Sequence, residues 1–206
     1  MFVLSFIIVT IYLIILIWFS NAIYYKKPDY KNKDFYHHVS IIVAAKNEEN
    51  NLPGLIKALI NQSYPSDKYE IIVVNDKSND QTQKLLDLYN KKYHNVKSFN
   101  ISKTPIGWSS KKWALNKAIE LASSDIIMQT DADCIPSEKW VETISNYFSN
   151  PRINFVCSPS YLEHKDIFLN KIFRMETLVQ EAINAGAIKN NLILSCTGRN
   201  IAFRKK

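Results

Sequence analysis

The sequence predicts an α/β fold with a mainly parallel central sheet flanked by helices. Three observations carry this. Short runs that are apolar throughout alternate with segments of helical periodicity, so the strands are buried on both faces. Polar clusters, Lys46-Asn47-Glu48-Glu49, Asn75-Asp76-Lys77-Ser78 and Asp131-Ala132-Asp133, follow three of those runs directly. In open parallel sheets ligands bind outside the carboxyl ends of the strands, so clusters far apart in sequence are expected to meet in one crevice.

The elements follow in order. Val39 to Ala44 is a continuous apolar strand, and Leu52, Leu55, Ile56, Leu59 and Ile60 then recur at helical spacing. Ile71 to Val74 forms a second strand. Ser78 and Gln81 have capping-box spacing ahead of a helix bearing Leu85, Leu86, Leu88 and Tyr89. A weaker strand, Val96 to Asn100, precedes a helix marked by Ala114, Leu115, Ala118, Ile119 and Ala122. Ile126 to Thr130 is the next strand. Pro136 and Ser137 open a helix bearing Trp140, Val141, Ile144, Tyr147 and Phe148. Ile153 to Cys157 reads as a strand, and Ile167 to Ile188 as mostly helical.

From Met1 to Tyr25 there is no charged side chain, and Phe6 to Phe19 is almost wholly apolar. This predicts a transmembrane anchor over residues 1–25, a linker over 26–38 and a domain over 39–206. A cleaved signal peptide is the rival, with Ser20-Asn21-Ala22 as the cleavage site, but no Lys or Arg precedes the apolar run. Lys26, Lys27, Lys31 and Lys33 follow it, so the positive-inside rule predicts a single-pass cell-membrane protein with its domain in the cytoplasm. Trp18, Tyr24 and Tyr25 suit the membrane interface.

The chain of 206 residues has 26 Lys and Arg against 19 Asp and Glu, for a net charge of +7. The lysines are dispersed, which a solvated basic surface near anionic lipid explains at least as well as nucleic-acid binding, and no nucleic-acid partner is expected. Cys134, Cys157 and Cys196 are odd in number and lack metal-ligand spacing, as do the four histidines, so reduced thiols and no zinc are expected. A dinucleotide fingerprint and a P-loop are both missing, which counts against dehydrogenase and ATPase readings.

Two carboxylates one residue apart at a strand end, Asp131 and Asp133, suit a hard divalent cation whose open positions take phosphate oxygens; alone, such a pair also fits a solvated turn. Asp76 either accepts a hydrogen bond from a pyrimidine N–H or caps a turn. Glu48 either meets ribose or base, or is a first-turn acid favoured by a helix dipole. Lys111 either neutralises a diphosphate or is one more exposed lysine.

Taken together, Val39 to Glu49, Ile71 to Thr82, the Gly107 to Asn116 segment with its Lys111 and Ala114-Leu115-Asn116, and Asp131-Ala132-Asp133 resemble the ordered motifs of glycosyltransferase family 2. Gly198 to Arg204 is similar to a later stretch of the same family. The resemblance implies a GT-A fold and inverting transfer of a sugar from a nucleotide-sugar donor, UDP-linked, to a lipid-linked or envelope-glycan acceptor. It implies donor contacts at Ala45, Asn47, Glu48, Asp76, Lys111 and Asp131, and Mg2+ or Mn2+ on Asp133 and Asp131. Ala44 stands where many relatives have proline, Asn75 replaces the first acid of a common pair, and Lys77 replaces a frequent glycine. Family members continue past the Gly198 to Arg204 stretch into an acidic motif that supplies the general base. Here the last acid is Glu181, so the expectation is a base beyond Lys206, with Glu163, Asp166, Glu176 and Glu181 as substitutes. The alternative is a truncated, catalytically silent protein that binds nucleotide sugar or a partner.

Overall fold

The computed structural model describes residues 2–20, 36–163, 165–190, 192 and 194–205. Within these the chain forms two compact units. The larger is a six-stranded sheet with its helices, and the smaller pairs α1 (Phe2–Ser20) with α6 (Phe168–Lys189).

In the larger unit the strands are β1 (Val39–Ala45), β2 (Tyr69–Asp76), β3 (Val96–Ile101), β4 (Ile126–Thr130), β5 (Phe155–Cys157) and β6 (Asn200–Arg204). The helices are α2 (Leu52–Ile60), α3 (Thr82–Lys92), α4 (Ser110–Leu121) and α5 (Trp140–Ser145), the last running into a 3-10 turn at Asn146–Ser149. The sheet order is β3-β2-β1-β4-β6-β5. The chain thus moves outward from β1 through β2 to β3, then returns to place β4 on the other side of β1. That reversal makes the β1–β4 boundary the switch point, where an open sheet of this kind leaves a crevice.

Successive residues of β1 serve opposite faces, as the two-residue period of a strand requires. Ile41, Val43 and Ala45 join a core with Leu52, Leu55, Ile56 and Leu59 of α2, Leu86 of α3, and Val141 and Ile144 of α5. Ile42 turns the other way, to Ile72, Val74, Ile127 and the small Ala114 and Ala118 of α4. Each fully buried Ile or Leu contributes about 1.5–3 kcal/mol relative to exposure, so the sheet is held from both sides.

Several expectations change. The mainly parallel sheet is in fact mixed: β1, β2, β3 and β4 run parallel, but β6 is antiparallel to both β4 and β5. Long-range bonds fix that reversal. Gln129 donates through Nε2 to the Gly198 carbonyl at 2.6 Å, and Trp140 donates through Nε1 to Asn200 Oδ1 at 2.9 Å. A Cβ on Gly198 would lie 3.0 Å from Gln129 Nε2, so the close approach favours glycine. Arg204 then donates to the carbonyls of Ile153 and Phe148 at 3.1 and 2.6 Å.

The expected capping box does not form, because Ser78 is engaged by Asn75 and Asn47 instead. The helix expected from Pro136 begins at Trp140. Strand β2 reaches two residues further than the apolar run, so Asn75 and Asp76 are its buried last residues.

The transmembrane anchor over residues 1–25, and with it the single-pass cell-membrane location and cytoplasmic placement, is not supported. Among the described residues no helix is long and apolar enough to cross a membrane. Residues 21–35, which include most of the expected linker and Lys26, Lys27, Lys31 and Lys33, lie outside the described residues.

Candidate active site

A cleft of about 340 Å³ opens at the carboxyl ends of β1, β2 and β4. Its walls are Ala44, Ala45, Lys46 and Glu48 after β1, Asp76 at the end of β2, Ser110 and Lys111 at the start of α4, and Asp131, Ala132 and Asp133 after β4. The volume suits a small organic ligand. Six of the seven residues singled out from sequence line it: Ala45, Glu48, Asp76, Lys111, Asp131 and Asp133. Asn47 does not; Lys46 and Ala132 of the expected clusters line it too, and Ala44 and Ser110 join the wall without having been singled out as site residues.

Asn47 serves the loop instead. Its backbone is left-handed, with φ 56°, a region that Asn tolerates. Its N–H donates to Ser78 Oγ at 2.9 Å and its Oδ1 accepts from the Asn79 N–H at 2.8 Å. Three further bonds cross between the same loops: Glu48 N–H to Thr82 Oγ1 at 2.8 Å, Glu49 N–H to Asp80 Oδ2 at 3.1 Å, and Gln81 N–H to Glu49 Oε2 at 2.8 Å. The loops after β1 and β2 are thereby tied into one frame around the cleft. Lys77 is also left-handed, at φ 54°, which costs about 1 kcal/mol in a residue with a Cβ; the glycine frequent there in the resembling family would not bear that cost.

Charge in the cleft is balanced locally. Lys111 Nζ lies 2.8 Å from Asp131 Oδ1, and Lys77 Nζ lies 3.4 Å from Asp76 Oδ1. Glu48 accepts from Asn51 Nδ2 at 2.7 Å. Burial and the neighbouring Asp133 carboxylate push the Cys134 thiol up, which keeps it protonated and unsuited to act as a nucleophile. All three cysteines are free.

Asp131 and Asp133 offer hard oxygen donors in one cleft, a set that fits Mg2+ or Mn2+. Among the described residues no group of three or more His, Cys, Asp or Glu could hold a metal. Two carboxylates leave most of a divalent ion's positions to a ligand, which is what binding through a diphosphate requires.

The substitute bases belong to the smaller unit, while the cleft is built from the larger one. Asp166 pairs with Lys171 at 2.5 Å, and Glu163 lies 3.9 Å from Lys165 on an exposed stretch. Glu176 is exposed on α6 and Glu181 sits half-buried on it.

A profile of the family described as Glycosyl transferase family 2 matches residues 40–206, and the chain therefore belongs to that family. Beta-monoglucosyldiacylglycerol synthase of a Nostoc species is 40% identical over 95 residues, which are 46% of this chain and 20% of that protein. The 4,4'-diaponeurosporenoate glycosyltransferase of Staphylococcus haemolyticus is 31% identical over 169 residues, 80% of this chain and 42% of that protein. The chain spans under half the length of these curated relatives. A mannosyltransferase from Pyrobaculum calidifontis, solved in complex with GDP-Man and Mn2+, superposes with a TM-score of 0.64 at 19% identity, covering 92% of this chain and 52% of that one. The fold is accordingly GT-A-like, with a mixed central sheet.

Proposed function

We propose that the chain, a member of glycosyl transferase family 2, takes a UDP-sugar in the cleft at the β1–β4 switch point and transfers the sugar with inversion to a lipid-linked or envelope-glycan acceptor. The observation that carries this is the convergence of Asp76 from the end of β2, Lys111 from the start of α4, and Asp131 and Asp133 from the end of β4 onto one cleft. Asp76 accepts the N–H of the base, Glu48 and Asp131 face the ribose, and Lys111 neutralises the diphosphate. Ala45, fully buried, closes the floor of the cleft beneath the nucleoside. Asn47 contributes by locking the loop that carries Glu48. Asp133 and Asp131 would hold Mg2+ or Mn2+, which supplies Lewis-acid neutralisation of charge on the departing nucleoside diphosphate. The lipid acceptor is supported by the relatives whose names carry diacylglycerol and diaponeurosporenoate.

Lys111, paired with Asp131, is positioned to shift its charge onto phosphate oxygens when the carboxylates are taken up by a metal. Calorimetry with UDP, with and without Mn2+, tests the site: Asp133→Asn is expected to weaken UDP at least tenfold, because a metal-bridged diphosphate loses a coordinating charge worth about 1.4 kcal/mol or more. Asp166→Asn is expected to leave it unchanged. Equal affinity in both variants would refute the assignment.

A second reading is favoured by one feature. Among the described residues of the larger unit, the cleft wall carries only the four acids assigned to donor and metal, and no further carboxylate to deprotonate an acceptor. A donor-binding chain without turnover would bind UDP normally and release no free sugar or product from a UDP-sugar, which a radiolabelled-donor assay distinguishes.

A further inference from the structure

We infer that Ser110 is a positioning residue that aims Asp76 at the base of the donor nucleotide. This rests on the reading of Asp76 as the base contact and adds the group that makes the contact specific. Asp76 ends β2 with its side chain almost wholly buried, 4% exposed, and yet lines the cleft. A carboxylate's terminal torsion is broad, so an aspartate left to itself does not select which oxygen it presents.

Here the choice is made by its neighbours. Ser110 donates from Oγ to Asp76 Oδ1 at 2.6 Å, and Lys77 Nζ lies 3.4 Å from the same oxygen. Ser110 Oγ is 3.1 Å from Thr104 Oγ1, which accepts from Lys77 Nζ at 2.7 Å. A serine hydroxyl has one proton. Since that of Ser110 is committed to Asp76, Thr104 must donate to Ser110, and Thr104 in turn accepts from Lys77. The chain of donors runs one way, from Lys77 through Thr104 and Ser110 to Asp76 Oδ1. Both contacts load Oδ1, so Oδ2 keeps its lone pairs for an N–H presented in the cleft.

The location of Ser110 matters as much as its hydroxyl. It is the first residue of α4, and Ser109 caps that helix by accepting from the Lys112 N–H at 3.4 Å. Ser110 therefore stands on a defined helix start beside Lys111, so the segment that meets the phosphates also orients the acid that meets the base. A ring with an N–H at the pyrimidine 3-position, as in uracil, is satisfied by Oδ2; cytosine, with an acceptor there, is refused.

The test measures binding of uridine, cytidine and pyrophosphate with Mn2+ to the whole chain. Ser110→Ala is expected to weaken uridine about tenfold, the worth of a hydrogen bond to a charged group, and to narrow the preference for uridine over cytidine. Pyrophosphate affinity and thermal melting are expected to stay as in the parent, and Ser110→Thr to restore uridine binding. If Ser110→Ala proves unstable, Thr104→Val removes the hydroxyl that orients Ser110 and is expected to cause a smaller loss of the same kind. Parent-like uridine affinity and selectivity in Ser110→Ala, while Asp76→Ala loses both, would overturn the positioning role and leave the base contact standing. Parent-like uridine affinity in Asp76→Ala would remove the base contact itself and the positioning role with it.

Discussion

Strand β2 carries an acid at each end, and the two live in opposite circumstances. Glu70, near the start, is saturated by the fold: it accepts from Ser40 Oγ at 2.5 Å, Lys97 Nζ at 2.7 Å, and the Ser123 N–H and Oγ at 2.7 and 2.6 Å. Burial alone would raise its pKa, but the bonds from Lys97, Ser123 and Ser40 outweigh that and hold it at about 2. Asp76, at the other end, takes one short bond, from Ser110, with Lys77 close by. A carboxylate has about four acceptor positions. Glu70 has spent them stitching β1, β2, β3 and the turn before β4 together, whereas Asp76 keeps some for a ligand. The same residue chemistry is structural at one end of the sheet and available at the other.

The largest expected contrast is in stability. Glu70→Ala leaves Ser40, Ser123 and Lys97 without their acceptor and is expected to cost about 2–3 kcal/mol in urea unfolding, the half-exposed Lys97 moderating the loss. Asp76→Ala is expected to cost clearly less. An equal loss would mean that Asp76 is structural as well.

Next comes ligand binding at the open end. Lys111→Ala is expected to weaken UDP about tenfold, as the loss of a charge-assisted bond does, while uridine is unaffected because it has no phosphate. Calorimetry with the two ligands sharpens the division between base and phosphate positions, and equal weakening of both would erase it.

The pH response follows from Glu70. Its folded pKa lies below the ordinary value of 4.5, so its contribution is fully present above that value and is lost as pH falls towards about 2. Glu70→Gln is expected to flatten the fall in stability over that interval, measured by thermal melting against pH. An unchanged acid limb would show that other carboxylates carry it.

The smallest effect is expected at the loop frame. Asn47→Ala removes the acceptor for Asn79 and is expected to cost about 1 kcal/mol, with uridine selectivity retained because Asn47 stands outside the cleft wall.

Much of this was legible before any coordinates. Runs such as Val39 to Ala44 and Ile126 to Thr130 announce buried strands because residue type reports burial directly, and acids placed just after them fall at strand ends by chain continuity. Hence Asp76, Asp131 and Asp133 could be placed in one crevice. That Asn47 ties the loops after β1 and β2 together is not legible, because a polar residue beside a site looks the same in sequence whether it faces a ligand or the next loop. The apolar run at the start shows the converse: apolar composition reports that a segment avoids water, yet among the described residues no helix is long and apolar enough to cross a membrane.

By itself, then, the sequence determined most of the strands and helices, though not β6, and which acids meet at the sheet's carboxyl edge, because periodicity and adjacency are local properties. The tertiary structure alone decided that β6 enters antiparallel, that Glu70 is saturated while Asp76 is left open, and that Ser110 rather than a nearer neighbour orients Asp76. Those outcomes depend on bonds between residues some 30 to 70 positions apart, and such pairings are fixed by how the crossovers bring the strands together, which no local pattern encodes.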